Sequence, residues 1–556
     1  MNKLQRDREL QMPQGEVLPL ALSHYPSRRE DFDIRGDGLA RLRIRAEAGA
    51  IRSAEIVCLG GDWPEPRDLT LRYRDRNEEL WESEALTLFE CREYYFRLQT
   101  VTGQALFGSA GLQGSVPCET RFRAPAPYRG TPPQWSRGAA FYQIFPDRFC
   151  NLETSSEGKG SGAGIESWDS PPSGTGFKGG SLAGITAKLD YVESLGIEAI
   201  WLNPIFSSPS NHRYDATDFY AIDPRLGNDE DLGTLTERAH ERGIRVVLDG
   251  VFNHVSDEHP FFQDVVCRGM KSPYWEWFRI KRWPIAERTE EYYGTWWGHG
   301  HLPQLNLENP QVQQYFLDVG EHWIRKHDID GWRLDVAAEV PLAFWRSFRE
   351  AIRGVKPDAY LLAEVWGDGR LFLQGDTFDA TMNYPFRRAV LEFLGGRIDA
   401  EACAGHLNRL YYRYPRETAE AQYNLLGSHD VSRLRHDLGG DTGLVEVAWA
   451  IQCAYPGATA LYYGDELGLD GRGDPGCREA FPWNRVGSPG TSAADSSLTE
   501  TMSGLLSRRK REPALKFGLL HCAADGEHRL RIVRTLAEES IALSADRRSR
   551  SYTWER

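Results

Sequence analysis

The segment that decides the fold is DEDLGTLTERAHERGIRVVLDGV, residues 229–251. Residues 229–243 carry apolar side chains at helical spacing, and residues 243–251 form a short, nearly continuous apolar run. This pattern predicts an amphipathic helix that leads directly into a buried strand. Repetition of such a unit along the chain predicts a parallel sheet, since strands that alternate with helices are characteristic of α/β folds.

Seven further apolar runs extend the same alternation on both sides of this segment. They are AAFYQIFP (139–146), GIEAIWLNP (196–204), GWRLDVA (331–337), AYLLAEVW (359–366), DATMNYP (379–385), YNLLGSHD (423–430) and ATALYYG (458–464). Eight strand–helix units predict an α/β protein with a closed (β/α)₈ TIM barrel over residues 138–514. Residues 252–309, after the third strand, are too long for a plain loop and predict a small inserted domain.

The two ends of the chain have a different pattern. Residues 1–123 contain short alternating segments separated by Gly, Asp and Pro, which predict an N-terminal all-β sandwich. The proline-rich residues 124–137 predict a linker. Residues 515–556 predict a short C-terminal β region.

The composition narrows the class of protein. Lys and Arg number 66 against 80 Asp and Glu, so a net charge of −14 disfavours nucleic acid and anionic membranes as partners. No run approaches 18 apolar residues, so no membrane-spanning segment is predicted. The nine cysteines are scattered, and the first residues, MNKLQRDREL, lack an apolar signal region, which favours a cytoplasmic location.

Polar side chains recur where the predicted strands end. The carboxyl ends of the strands form the active-site face of (β/α)₈ enzymes. A single Asp at such a place is most simply a helix cap, but several carboxylates with two histidines and an arginine predict a shared site. These residues are Tyr142, Asp147, Asp249, Asn253, His254, Arg333, Asp335, Glu364, His429 and Asp430.

Paired carboxylates beside an arginine, without a Cys/His metal cluster, indicate glycoside hydrolysis. Asp335 is the predicted nucleophile, because Arg333 on the same strand face should lower its pKa. Glu364 lies in an apolar stretch, which should raise its pKa and suit a general acid. Neighbouring strands lie about 4.8 Å apart, which suits the separation of about 5–5.5 Å in retaining enzymes. Asp430 is a third carboxylate that could bind ring hydroxyls.

Four segments resemble the signature regions of the alpha-amylase superfamily, glycoside hydrolase family 13. They are LDGVFNH (248–254), GWRLDVAAE (331–339), AEVW (363–366) and LLGSHD (425–430). They occur in the family's order and on the expected strands, and the resemblance extends over about residues 138–485. The motif LPQLN (302–306) and the β-rich N-terminal region are similar to the neopullulanase, cyclomaltodextrinase and maltogenic amylase group.

The resemblance implies a role for each matching residue. It implies Asp335 as nucleophile, Glu364 as acid/base and Asp430 as transition-state stabiliser. The side chains that it places around the bound sugar, or in support of it, are Arg333, His254, His429, Tyr214, Asp249, Tyr142, His212 and Glu339. The group usually has Asn where this chain has Ala338, on the leaving-group side. Trp297 in the inserted region is either a sugar platform or part of that region's own core.

The resemblance also implies a substrate and an assembly. The substrate is an α-glucan oligosaccharide, such as a cyclodextrin, a maltooligosaccharide or a fragment of pullulan or starch, with maltose as the main product. The N-terminal domain implies a homodimer, although a glucan-binding role of the starch-binding type is the alternative. No cofactor is required. Calcium is a candidate ligand through Asn151 and Glu153, but the carboxylate that the group often supplies is Ser181 here.

Other functions stay open on the same residues. A transglycosylase, an α-1,6-acting glucosidase or a glycosyl isomerase would share the covalent intermediate and differ in substrate or acceptor. A non-catalytic sugar-binding protein is the alternative from another class. It is disfavoured because Asp335, Glu364 and Asp430 are all present, whereas a dead barrel should have lost catalytic carboxylates.

Overall fold

A computed structural model describes residues 21–34, 38–59, 66–87, 92–113, 120–125, 130–152, 164–486 and 493–556. The chain divides into two compact units, Met1–Tyr128 and Arg129–Arg556. The boundary between the units falls inside the predicted linker. The finer division of the second unit into barrel, inserted domain and C-terminal region at the stated residues stays a prediction.

The first unit consists of antiparallel strands around one apolar core. Alternation along the chain produces this core, because every second side chain of a strand points to the same face. Tyr94, Phe96 and Leu98 on one strand are all buried in it. The strands are β1 Leu22–Ser23, β2 Phe32–Ile34, β3 Leu39–Glu47, β4 Ile51–Cys58, β5 Pro66–Arg74, β6 Glu78–Ser83, β7 Leu86–Thr87, β8 Glu93–Thr100, β9 Gly103–Gly108, β10 Gly111–Gln113 and β11 Phe122–Arg123.

The second unit is built on a parallel sheet of eight strands, which confirms the predicted barrel. Its strands pair in the order β21-β20-β19-β16-β13-β12-β23-β22, and a bridge between Met382 and Tyr423 joins the two ends. The interior is filled by apolar and aromatic side chains such as Phe141, Trp201 and Tyr360. The strands of this part of the chain are β12 Ala140–Ile144, β13 Ala199–Leu202, β14 Phe206–Ser207, β15 Asp218–Ile222, β16 Arg245–Gly250, β17 Thr295–Trp296, β18 His299–Pro303, β19 Gly331–Leu334, β20 Tyr360–Ala363, β21 Ala380–Thr381, β22 Tyr423–Leu425 and β23 Ala458–Tyr462.

Helices alternate with the barrel strands, and local sequence determines where they begin. The helix of the segment at 229–251 starts after Asn228, whose side chain accepts from two backbone N–H groups in a capping box with Asp231. The helices are α1 Pro146–Phe149, α2 Leu182–Thr186, α3 Leu189–Ser194, α4 Asp229–Glu241, α5 Pro260–Arg268, α6 Pro310–His327, α7 Leu342–Val355, α8 Tyr384–Leu394, α9 Ala400–Tyr412, α10 Arg416–Ala421, α11 Leu434–Asp437, α12 Thr442–Ala454, α13 Gly473–Gly476, α14 Ala493–Arg511 and α15 Pro513–Phe517.

Two regions complete the second unit as the sequence predicts. The stretch between β16 and α6 contains α5 and the hairpin of β17 and β18, in place of a plain loop. The C-terminal region is a four-stranded antiparallel sheet of β24 Leu519–Asp525, β25 Arg529–Leu536, β26 Glu539–Asp546 and β27 Ser551–Glu555. Among the residues that the structure describes, no helix combines the length and apolarity needed to span a membrane.

Candidate active site

Three carboxylates surround the guanidinium of Arg333 at the carboxyl ends of β16, β19 and β20. Nη1 of Arg333 lies 2.7 Å from Oδ1 of Asp335 and 3.0 Å from Oδ1 of Asp249, and Nη2 lies 3.0 Å from Oε2 of Glu364. The side chain of Arg333 is fully buried, so its charge requires these partners. The structure thus brings together four residues, of which the outermost, Asp249 and Glu364, are 115 positions apart in the chain.

Strand register places Asp335 and Glu364 side by side. Leu334 of β19 pairs with Ala363 of β20, and the N–H of Glu364 donates to the carbonyl of Leu334 at 3.0 Å. The two carboxylates follow these paired residues directly, so their backbones are one strand spacing apart, about 4.8 Å. Both side chains are almost buried, with 8% of Asp335 and 10% of Glu364 exposed.

Glu364 receives two further hydrogen bonds on its two oxygens. The N–H of Val336 donates to Oε2 at 2.9 Å, and Nε1 of Trp366 donates to Oε1 at 3.1 Å. Val336 has φ 47° and ψ 36°, a left-handed conformation that is unfavourable for a β-branched residue. Strain of this kind persists only where the surrounding structure enforces it, and it is concentrated at functional sites.

The pKa values of Asp335 and Glu364 shift in the directions opposite to those expected from the sequence. Burial raises the pKa of Asp335 well above its ordinary value, and the charge of Glu364 adds to this effect. Burial also raises the pKa of Glu364, but Arg333 and the hydrogen bond from Val336 outweigh it and leave that pKa lowered. Because the charge of Glu364 acts on Asp335, we expect the two carboxyl groups to titrate as a coupled pair.

A chain of hydrogen bonds fixes the orientation of Tyr214 and His429. Nε2 of Gln143 donates to Nδ1 of His429 at 2.8 Å and to the amide oxygen of Asn203 at 3.0 Å. Nε2 of His429 lies 2.6 Å from the hydroxyl of Tyr214, which also accepts from Asn203 and donates to Asp249. These contacts imply a neutral imidazole with its proton on Nε2, an assignment inferred from the partners. Burial lowers the pKa of His429 well below its usual value, which agrees.

The structure does not bring Tyr142 into this cluster. Its hydroxyl donates to Glu466 at 2.6 Å, and the hydroxyl of Tyr191 donates to the same oxygen at 2.8 Å. Side chains alternate along β12, so Phe141 and Gln143 face the barrel interior while Tyr142 faces the helices. Gln143, which sequence reasoning missed, occupies the supporting place expected for Tyr142. The available signal was an amide within the otherwise apolar strand.

His254 and His212 lie beside Tyr214. Nε2 of His254 donates to the backbone carbonyl of Tyr214 at 3.0 Å, and its ring stacks on Trp296 at 5.4 Å. Nδ1 of His212 accepts from the N–H of Tyr214 at 3.1 Å. Burial lowers the pKa of both histidines, to about 4 for His254, so we expect both rings to be neutral at pH 7.

Asp430 lies at the open side of the cluster. Its Oδ1 is 3.1 Å from Nε2 of His429, and a quarter of its side chain, 26%, is exposed. Burial, and then the charge of Glu364, raise the pKa of Asp430 to about 7. Sequence reasoning missed Arg478, whose Nε donates to the carbonyl of His429 at 3.0 Å and whose Nη2 is 3.9 Å from Asp430. The available signal was the segment YYGDELGLDGRGDPGCR (462–478), which is rich in charged residues and ends at Arg478.

Two exposed tryptophans donate to carboxylates of the site, Trp297 to Glu339 and Trp366 to Glu364. Nε1 of Trp297 donates to Oε1 of Glu339 at 2.6 Å, and the exposed indole stacks on Trp296 with ring centroids 5.1 Å apart. Trp366 stacks on Tyr384 at 3.8 Å and is also exposed. Flat exposed aromatic faces beside carboxylates are suited to stacking on a sugar ring. Trp366 was not recognised as such a platform from the sequence.

The described residues around Asn151 do not fit a calcium site. The amide nitrogen of Asn151 donates to the carbonyl of Lys178 at 3.2 Å, and the hydroxyl of Ser181 caps α2 by accepting from Gly184. The carboxylate of Asp147 already accepts from the backbone of Lys178 and from Arg148. No group of three or more His, Cys, Asp or Glu side chains that could hold a metal occurs among the described residues. Glu153, the other candidate ligand, lies outside them.

The barrel and the rim of carboxylates define a glycoside hydrolase, and comparison with known proteins specifies the family. Residues 143–513 match the catalytic domain of alpha-amylase. The protein therefore belongs to the alpha-amylase family of glycoside hydrolases.

Named relatives come from the group that the sequence motifs resemble. A cyclomaltodextrinase of Geobacillus thermopakistaniensis is 42% identical over 419 residues, 75% of this chain and 70% of the relative. An intracellular maltogenic amylase of Bacillus subtilis is 38% identical over 517 residues, 89% of this chain and 85% of the relative. A solved cyclomaltodextrinase structure is 34% identical, with a TM-score of 0.86 over 94% of this chain and 90% of that one.

Proposed function

We propose that the protein hydrolyses α-1,4-glucosidic bonds in cyclodextrins and short maltooligosaccharides, and in fragments of pullulan and starch, with retention of configuration. Maltose is the main product in this proposal. The observation that carries it is the placement of Asp335 and Glu364 on adjacent strands, paired with the same guanidinium. Neighbouring strands, whose backbones lie about 4.8 Å apart, can hold two carboxyl groups at the separation of about 5–5.5 Å that retaining enzymes use. The names of the relatives support the choice of substrate.

Double displacement assigns one role to each carboxylate. Asp335 attacks the anomeric carbon as Glu364 gives its proton to the leaving oxygen, so a C–O bond to Asp335 forms while the glycosidic C–O bond breaks. Glu364 then removes a proton from water, which attacks the same carbon and releases Asp335. Arg333 contacts both carboxylates and balances the negative charge that moves between them.

The reactive state requires a proton on Glu364 and an ionised Asp335. In the free enzyme the pKa of Asp335 is raised and that of Glu364 is lowered, which is the opposite arrangement. A leaving oxygen that accepts a hydrogen bond from Glu364 favours the state in which Glu364 is protonated. We therefore expect substrate binding to shift the proton toward Glu364 and to leave Asp335 ionised.

Neutral polar groups around the carboxylates are suited to hold the sugar at the cleaved bond. His254 and His429 are uncharged, so ring hydroxyls can interact with them without the cost of burying another charge. The hydroxyl of Tyr214 has three partners, which fixes the ring as a platform of defined orientation. Asp430 is the most exposed of the acidic groups and is placed to accept from two sugar hydroxyls.

The test is a product profile with a matched inactive variant. Purified enzyme is incubated with β-cyclodextrin, maltotriose, pullulan and soluble starch, and the products and their anomeric configuration are resolved by chromatography and NMR. We expect faster release of maltose from β-cyclodextrin than from starch, with α-configured products. Asp335→Asn should lose at least about 10³-fold in kcat while still binding substrate. Inverted products, or a nearly active Asp335→Asn variant, would contradict the assignment of the nucleophile.

Transfer to a second sugar is the other candidate activity, and the exposed indoles of Trp297 and Trp366 favour it. Each offers an aromatic face to an acceptor sugar near Glu339 or Glu364. The same chromatograms test this candidate, since transfer yields oligosaccharides longer than the substrate at high maltotriose concentration. Their absence at every concentration would leave hydrolysis alone.

We further propose a cytoplasmic homodimer that forms through the N-terminal β unit. Family resemblance supports the dimer, and the name of the intracellular relative from Bacillus subtilis supports the location. Light scattering after gel filtration should give twice the mass of 63.1 kDa for the full chain. A variant that lacks residues 1–125 should be monomeric, and an active dimer of that variant would contradict the assignment of the interface.

A further inference from the structure

The ammonium group of Lys178 lies in a closed cage of oxygen atoms within segment 164–180. Its side chain is fully buried, and Nζ donates to the carbonyls of Ser167 at 2.6 Å and Ser170 at 2.9 Å. The hydroxyl of Ser170 is a third partner, and Oε2 of Glu166 lies 3.4 Å away. An ammonium has three donors, so all of them are used. Glu166 supplies the countercharge that a buried cation requires.

Segment 164–180 is hydrogen-bonded directly to residues 211–214, which include His212 and Tyr214. Nδ2 of Asn211 donates to the carbonyls of Gly174 at 3.1 Å and Gly176 at 2.9 Å. Gly176 also accepts from the buried Arg148 at 2.8 Å. Asn211 immediately precedes His212, and Tyr214 follows two residues later. Segment 164–180 therefore supports residues 211–214 through hydrogen bonds, and the buried contacts of Lys178 stabilise segment 164–180 itself.

The cavity beside the candidate calcium ligands is poor in carboxylates. A cavity of about 740 Å³ is lined by Asp147, Asn151, Ser181 and Arg225, among other residues. Asp147 is the one carboxylate among the described residues that line it, and the guanidinium of Arg225 is paired with Asp223. Calcium favours six to eight oxygen ligands with several carboxylates, so this lining does not suit it.

We propose that the ammonium of Lys178 is the internal cation of segment 164–180, in place of calcium, and that it positions Asn211–Tyr214 for sugar binding. Lys178 contacts no substrate in this account and is a positioning residue. The part of the proposal that concerns sugar binding rests on the function proposed above. The part that concerns the cation does not.

The first test is a metal-removal experiment on the full-length wild-type protein. We expect EDTA followed by dialysis, and then addition of calcium chloride, to leave the melting temperature and the rate of chymotrypsin cleavage within segment 164–180 unchanged. A melting temperature that falls with EDTA and recovers with calcium would overturn the proposal. This readout needs no substrate, so it stands even if the proposed glucan activity fails.

The second test removes the ammonium. Lys178→Met should speed chymotrypsin cleavage at Trp168 or Phe177 in segment 164–180. It should also raise KM for maltotriose about tenfold, with kcat within about threefold, because displacement of residues 211–214 weakens binding. Lys178→Arg, which retains the positive charge, should recover part of both effects, and added calcium should recover neither. Lys271→Met, at an exposed lysine, is the matched control.

Two results of this second test would contradict the positioning role. The first is that Lys178→Met and Lys271→Met have the same proteolysis rate and the same KM. The second is that added calcium restores the proteolysis rate and KM of Lys178→Met to the wild-type values. If Lys178→Met does not fold, the comparison of Lys178→Arg with wild type in KM and the EDTA measurement decide the question. If the wild type and every variant are inactive on glucans, the proposed substrate is refuted. The proteolysis result then tests the cation role of Lys178 alone.

Discussion

Replacement of Trp366 by Phe isolates one hydrogen bond that sets the acidity of Glu364. The indole Nε1 donates to Oε1 of Glu364 at 3.1 Å, and the same ring stacks on Tyr384 with centroids 3.8 Å apart and planes 5° from parallel. Phenylalanine retains an aromatic ring for this stack but has no donor. The variant therefore removes a bond that stabilises the carboxylate form while it preserves the packing.

The size of the effect follows from the exposure of the donor. A hydrogen bond to a charged group contributes about 1.5–3 kcal/mol when buried, and the indole of Trp366 is 48% exposed, which reduces this to about 1 kcal/mol. One pH unit corresponds to about 1.36 kcal/mol. Loss of the bond raises the pKa of Glu364, so the acid keeps its proton to higher pH. The alkaline limb of the activity profile should move upward by about 0.5–1 pH unit.

The assay is kcat/KM for maltotriose across the pH range, since this ratio reports the free enzyme. Trp283→Phe is the matched control, because Trp283 is also 48% exposed and belongs to the inserted region. Its profile should coincide with that of wild type. An alkaline limb of Trp366→Phe that stays in place or moves downward, with activity retained at the optimum, would refute the acid role of Glu364 or the importance of this bond.

Three other predictions concern single residues elsewhere in the barrel. Tyr214→Phe leaves the partners of its hydroxyl unpaired and should lower kcat/KM about 10- to 100-fold, measured on maltotriose; a loss below twofold would contradict this. Gly331→Ala should abolish soluble expression, because its Cβ would lie 2.1 Å from the carbonyl of Tyr360, whereas Gly354→Ala meets nothing within 4 Å and should express normally. Burial raises the pKa of Asp330, but hydrogen bonds from its partners outweigh it and lower that pKa to about 2. Its charge therefore stabilises the fold by about 2 kcal/mol above about pH 4, and this stabilisation is lost as the pH falls toward 2. Asp330→Asn should destabilise the fold more at pH 7 than at pH 3, as measured by urea unfolding. Equal losses of stability at the two pH values would contradict this.

The barrel and its catalytic rim were predictable from the sequence because both depend on local order along the chain. Each apolar run forms one strand, and parallel strands place their carboxyl ends on one face. Residues that follow those runs, such as Asp335 and Glu364, therefore meet without further information. Helix continuity was less predictable. The segment SLAGITAKLDYVESLG (181–196) has a helical pattern throughout, but the chain turns at Lys188 and forms two helices, α2 and α3.

Contacts between distant segments could not be predicted from the sequence. Alternation along β12 allows either Tyr142 or Gln143 to face the barrel interior, and the choice depends on how the strand packs against its neighbours. Trp297 and Glu339 are 42 positions apart and meet because the inserted region folds over the strand ends. Neither contact has a signature in the spacing of residues.

By itself the sequence determined that this protein is a (β/α)₈ barrel with a rim of carboxylates, since strand pattern and strand-end residues are local properties. Only the tertiary structure decided in which direction the pKa of each carboxylate shifts. Arg333 was expected to favour the ionised nucleophile, but it also pairs with Glu364, which has backbone and indole donors of its own. A pKa depends on every charge and donor within a few ångströms, and those neighbours come from separate strands.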